Sequence, residues 1–174
     1  MIVYCFDDDR KFPLVASLTT TCRDIRLEIV TDATQRSLRI VTSGDESSDA
    51  EGAIVLALPL KGVDGAPEGI ELEVTGDTRP LQVYIEGSDV AGQGLIWRLS
   101  GLERAGRHIL RALADKPCDR WDQDDGDSRM AVAPPLTFHR LRLTVSHPHI
   151  VDIELHELRV TGNVHLVPSG LSDS

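Results

Sequence analysis

The stretch Asp119-Arg120-Trp121-Asp122-Gln123-Asp124-Asp125-Gly126-Asp127 is chemically the most distinctive in the chain. Its density of carboxylates suggests a calcium loop. However, the carboxylates do not fall at the alternate positions that a helix–loop–helix site needs ahead of its glycine. What remains is a tryptophan set among hydrogen-bonding side chains. That combination suits a sugar, whose C–H face stacks on an aromatic ring while its hydroxyls bond in pairs to Asp or Arg. Trp121, Asp124 and Asp125 are therefore candidate carbohydrate-binding residues. The same residues also fit a purely architectural role, with Trp121 plugging one end of a core and the aspartates capping turns.

Other chemistry is thinner. There is no Gly-x-Ser-x-Gly elbow and no glycine-rich phosphate loop leading into a helix. Of the six histidines, His147 and His149 flank Pro148. An i, i+2 pair would share one face of a strand, but the proline interrupts a strand there and no third ligand follows at metal spacing. Glycoside hydrolysis works through paired carboxylates. With 28 acidic residues in the chain, no single pair stands out, and no catalytic residue is assigned.

The elements that must position these residues read as strands. Short runs of Val, Ile, Leu and Thr recur, separated by Gly, Pro, Asp and Ser, which is the mark of a sandwich or barrel. The clearest alternation places Ile70, Leu72 and Val74 inward, with Glu71 and Glu73 outward. The next places Leu81, Val83 and Ile85 inward, with Gln82, Tyr84 and Glu86 outward. The turn-forming Gly76-Asp77-Thr78-Arg79-Pro80 between them predicts a hairpin. Further strands are predicted over 2–6, 14–20, 26–30, 37–41, 53–58, 95–99, 108–112, 138–145 and 150–161. About ten strands exceed what one open sheet holds comfortably, so two packed sheets are expected. The alternation puts Trp97 on the inward face with Leu95 and Leu99. Over 102–114 the spacing is also loosely helical, weakened by Gly106.

Near the C-terminus Val151, Ile153 and Leu155 share a face, but Leu158 and Val160 have the opposite parity. A strand can change parity only by inserting a residue, which predicts a β-bulge at His156-Glu157. Residues 43–51 and 115–135 read as polar loops, and 164–167 as a short last strand. Residues 1–167 are expected to form a single β-sandwich domain, with 168–174 as a C-terminal tail.

A net charge of −10 and a pI near 4.9 repel phosphate backbones, so nucleic acid is a poor partner. No apolar run reaches the roughly 18 to 20 residues that span a bilayer, so no membrane insertion is expected. Asp7, Asp8 and Asp9 stand where a signal peptide would be basic and then apolar. An excised piece of a longer protein is the expected origin, extracellular or cell-surface if that protein is a secreted enzyme. Cys5, Cys22 and Cys118 have no metal-type spacing. Mostly buried thiols are expected, with a Cys5–Cys22 disulfide as the alternative.

The order of segments resembles the galactose-binding-like jelly-roll domains attached to bacterial glycoside hydrolases. The likeness lies in Ala53-Ile54-Val55-Leu56-Ala57-Leu58-Pro59-Leu60, the turn Gly65-Ala66-Pro67, and Gly76-Asp77 ahead of Leu81–Glu86. It continues in Trp121…Asp124-Asp125-Gly126…Pro134-Pro135-Leu136 and closes on Ile153-Glu154-Leu155-His156-Glu157-Leu158. The resemblance implies an all-β, two-sheet antiparallel β-sandwich of jelly-roll type. It implies a non-catalytic carbohydrate-binding or accessory module, with a glycan or an adjacent catalytic domain as partner. It also implies a structural Ca2+ held between the first and last strands, at Asp7 or Asp8 and Glu157. A structural or protein-interaction domain of the same fold is the alternative.

Overall fold

A computed structural model describes residues 1–7, 14–17, 22–32, 34–44, 52–101, 105–121, 131–145 and 151–168. Every regular element among them is a strand: β1 (Ile2–Cys5), β2 (Leu14–Ser17), β3 (Cys22–Thr31), β4 (Arg36–Gly44), β5 (Gly52–Gly76), β6 (Leu81–Ser88), β7 (Gly94–Leu99), β8 (Arg107–Leu113), β9 (Asp119–Trp121), β10 (Leu136–Val145) and β11 (Asp152–Leu166). All of the pairings are antiparallel.

The long β5 links the two layers of a sandwich. Its first half pairs with β2 and β10, and its second half with β8 and β11. One sheet therefore runs β2-β5-β10-β6-β7-β9, the other β3-β4-β11-β5-β8, with β1 beside β11. The strand turns between layers near Gly62 and Gly65, whose φ values of 69° and 104° are left-handed and suit glycine.

The inward alternation builds one core. Ile54, Leu56, Ile70, Leu72, Ile85 and Leu141 are among its fully buried members. Trp97 lies at its centre as expected, with its ring centroid 5.4 Å from that of Phe138. Its indole N–H donates to the Ala114 carbonyl at 3.0 Å, so this buried polar atom is satisfied.

Some expectations are corrected. Both alternations flanking Gly76–Pro80 hold, but β5 and β6 do not pair. β6 lies between β10 and β7, so the connection is an arch from one sheet to the other. Alternation says which residues face the core. Two strands can meet that demand side by side or face to face across it. The strand expected over 108–112 is present as β8, and the loose helical spacing of the same stretch is not used, after Gly106 turns the chain at φ 96°. Cys5 and Cys118 are exposed rather than buried, and Cys5 sits on β1, where its side chain alternates outward.

The predicted bulge is present. Leu155 pairs with Val74 and Glu157 with Glu73, which leaves His156 as the extra residue. The separate last strand expected at 164–167 is instead a continuation of β11, reached through Gly162 at φ 104°. Residues 119–121, read as loop, form the short edge strand β9 against β7.

Candidate functional site

The outer face of the first sheet carries the outward residues of the β6 alternation. Strand register places Arg142 of β10 opposite Tyr84 of β6, and Tyr84 opposite Arg98 of β7. Directly opposed residues project from the same face, so the three form a row across neighbouring strands with the phenol ring in the middle. The Arg142 guanidinium lies 4.8 Å from the Tyr84 ring centroid, a cation–π contact that covers one side of the ring. The Tyr84 hydroxyl donates to Gln82 Oε1 at 2.6 Å.

One residue pair along the sheet, Glu86 faces two arginines. Its carboxylate is 3.1 Å from Arg142 Nε and 4.0 Å from an Arg140 nitrogen. Arg142 Nε is buried and finds no acceptor in line, so charge rather than a hydrogen bond holds this contact. Arg140 and His139 are both exposed because β10 shifts register between Phe138 and Arg140. His139 Nε2 meets the Ser88 hydroxyl at 2.9 Å. Partial burial holds the His139 imidazole below its ordinary range, reinforced by the positive charges of Arg140 and Lys61.

The row opens at its Arg98 end into a groove of about 530 Å³, lined by Arg98, Ser100, Arg111 and Lys116 together with Glu68 and Glu71. The groove lies where the sheets meet, with Ser100 bridged to Arg111 across the corner.

The outer face of the second sheet is different in kind. Arg39 forks onto Asp152 at 2.8 and 2.7 Å, Arg111 meets Glu71 at 2.9 Å, and Arg107 meets Glu73 at 2.5 Å. Arg159 grips Glu157 at 2.7 Å and also reaches Glu73. Burial alone would raise the Glu73 carboxyl, but Arg107 and Arg159 outweigh it and hold the group below the usual carboxylate range. This face is occupied with its own ion pairs.

The residues singled out in the sequence fall as follows. The backbone of Trp121 pairs with Gly94 at the β7 edge, in line with Ser88 of β6. Asp124 and Asp125 lie outside the described residues, as do His147 and His149. The first strand does pair with the last, with Cys5 opposite Glu157 and Phe6 N–H donating to the His156 carbonyl at 2.9 Å. The segment leading to Asp7 therefore runs beside the bulge. Glu157 is engaged by Arg159, and Asp8 is outside the described residues. Among the described residues, no group of three His, Cys, Asp or Glu side chains is arranged to hold a metal ion.

Tyr84 is legible in the sequence only as an outward position. Its neighbours Arg98 and Arg142 carry a signal of their own, being outward residues of alternating strands. Nothing in the sequence says that those strands flank β6.

No protein-family model matches the chain, and no curated protein matches its sequence. Solved structures do match. The solution structure of CtCBM11 has a TM-score of 0.59 at 9% identity, covering 94% of this chain and 96% of that one. A family 11 carbohydrate-binding module from Clostridium thermocellum, in complex with a β-1,3-1,4-mixed-linked tetrasaccharide, has a TM-score of 0.56 at 9% identity. The match covers 92% of this chain and 95% of the module. The family 11 module of the cellulosomal cellulase Lic26A-Cel5E, also from Clostridium thermocellum, has a TM-score of 0.52 at 8% identity, covering 86% and 95%. The common property is the fold, a jelly-roll β-sandwich.

Proposed function

We propose that this protein is a non-catalytic carbohydrate-binding module that holds a glycan near a catalytic domain carried elsewhere. The observation that carries the reading is the row Arg142–Tyr84–Arg98, set beside Gln82 and Glu86 on an open sheet face. A pyranose offers a C–H face to an aromatic ring and pairs of hydroxyls to planar forks. Here an aromatic ring, guanidinium forks, an amide and a carboxylate stand within one short stretch of sheet. Trp121, Asp124 and Asp125 are proposed as a second contact. The likeness in fold to modules that bind glycan supports the reading.

A glycan array read by direct binding, with the whole chain, tests it. Wild type should bind a polysaccharide, and Tyr84→Ala should lose about tenfold or more in affinity, roughly 1.4 kcal/mol, while still melting cooperatively. Trp121→Ala should weaken binding at little cost in stability. Should it instead lose the roughly 3 to 5 kcal/mol of a core aromatic, Trp121 is an architectural plug. A well-folded wild type that binds no glycan would turn the reading to a module that packs against a neighbouring domain.

A further inference from the structure

We propose that the polysaccharide taken by this face is anionic, its carboxylate or sulfate groups held by the forks of Arg98 and Arg142. The inference rests on the glycan-binding reading above and names the class of glycan. It starts from an imbalance of charge. The chain carries −10 overall, yet the outer face of β5, β10, β6 and β7 presents Lys61, Arg98, Arg140 and Arg142. Glu86 is the carboxylate among them, joined at the β9 edge by Asp119.

Arg140 and Arg142 share Glu86, one of them only at 4.0 Å. Arg98 and Lys61 are exposed and make no ion pair with any described residue. Arg39, Arg107, Arg111 and Arg159 on the second sheet, in contrast, all have carboxylates. Like charges brought onto adjacent strands repel, and nothing in the core requires them there. The His139 imidazole lies below its ordinary range through partial burial first, with the charges of Arg140 and Lys61 adding to it.

The geometry fits a linear acidic glycan. Arg142 and Arg98 stand two strand spacings apart, roughly 10 Å, about the reach of a disaccharide, with the Tyr84 ring between them. Guanidinium forks match carboxylate and sulfate oxygens in bidentate fashion. Beyond Arg98 the groove adds Lys116 and Arg111, the latter shared with Glu71.

Direct binding of the full chain to four probes tests the inference: polygalacturonate, dextran sulfate, a neutral mixed-linked β-glucan and single-stranded DNA. The expected result is that one or both acidic polysaccharides bind about tenfold or more tighter than the neutral glucan, and that added salt weakens the binding. Preference between the first two identifies carboxylate or sulfate as the group read. Arg98→Gln should lose most of that advantage without lowering the melting temperature, because its side chain is exposed. Arg98→Lys should recover only part of it, since the charge returns without the fork. Equal, salt-insensitive binding of the neutral glucan would overturn the anionic preference and leave the glycan-binding reading standing. Binding to none of the polysaccharides would overturn both. DNA bound as tightly as polygalacturonate would reduce the face to an unselective polyanion patch and overturn the inference.

Discussion

His156 is the residue inserted at the β11 bulge, and only 6% of its surface is exposed. Its Nε2 meets Thr75 Oγ1 at 2.7 Å, while Nδ1 is buried without a hydrogen-bond partner among the described residues. Burial first, then the nearby Arg107 charge, pushes the imidazole below its ordinary range. Glu73, Glu154 and Glu157 oppose that only in part. The folded state therefore prefers neutral His156, whereas the unfolded chain protonates near the ordinary value of about 6.5. Stability contributed by this residue is complete above that value and is lost as pH falls from there toward the folded value. The melting temperature should drop between about pH 7 and pH 5, and the drop should be smaller in His156→Gln. His139 is shifted in the same direction and keeps its own share of the drop in that variant. Glu73 and Asp152 lie below the usual carboxylate range and lose their contributions only in more acidic solution.

Among the elements, β5 is the one the fold depends on, because both sheets are hydrogen-bonded to it. Its change of layer is possible where Gly65 takes φ 104°, and a Cβ built there would stand 2.3 Å from the Asn163 carbonyl oxygen of β11. Gly65→Ala thus combines a left-handed backbone with a clash against main chain, and should cost more than about 1 to 3 kcal/mol. Gly92 is a matched control: its φ is 80°, but a Cβ there would meet nothing within 4 Å. Gly92→Ala should cost only the conformational penalty of about 1 to 2 kcal/mol. Urea titrations giving both variants the same midpoint would show that the β5–β11 crossing tolerates more than its geometry suggests. Unchanged slopes would confirm that stability, and not the unfolded state, had moved.

For the whole molecule, the two outer surfaces differ in what their charges do. On the second sheet Arg39, Arg107, Arg111 and Arg159 pair with carboxylates of the same face, and such exposed pairs stabilise little individually. On the first sheet Arg140 and Arg142 share the single carboxylate of Glu86, and Arg98 and Lys61 make no ion pair with a described residue. The junction of β1 with β11 is the place where a structural calcium is proposed, from Asp7 or Asp8 and Glu157. An ion bound only by the folded chain raises stability by mass action. A calcium site there predicts that the melting temperature rises with calcium and falls with chelator. Glu157 would have to leave Arg159 to ligate, so Arg159→Gln should increase the response. Superimposed scans, on protein shown by elemental analysis to be metal-free, would dispose of the site.

The sequence by itself determined what a single strand can express. Period-2 alternation marked Ile70, Leu72, Val74, Val83 and Ile85 as core and Trp97 as buried. The parity change between Leu155 and Leu158 located a bulge at His156-Glu157, because an odd insertion keeps both ends of a strand facing inward, and the register shows His156 to be the extra residue. Strand partnership was decided only in the tertiary structure. Leu81–Ser88 satisfies its pattern equally well beside β5 or beside β10, since every strand in the sandwich faces the same core. The choice was made by how the arch, the long β5 and the distant β10 close together. The candidate site inherits that dependence. Arg98, Tyr84 and Arg142 are ordinary outward residues in the sequence, and they become a row only once β7, β6 and β10 lie in register.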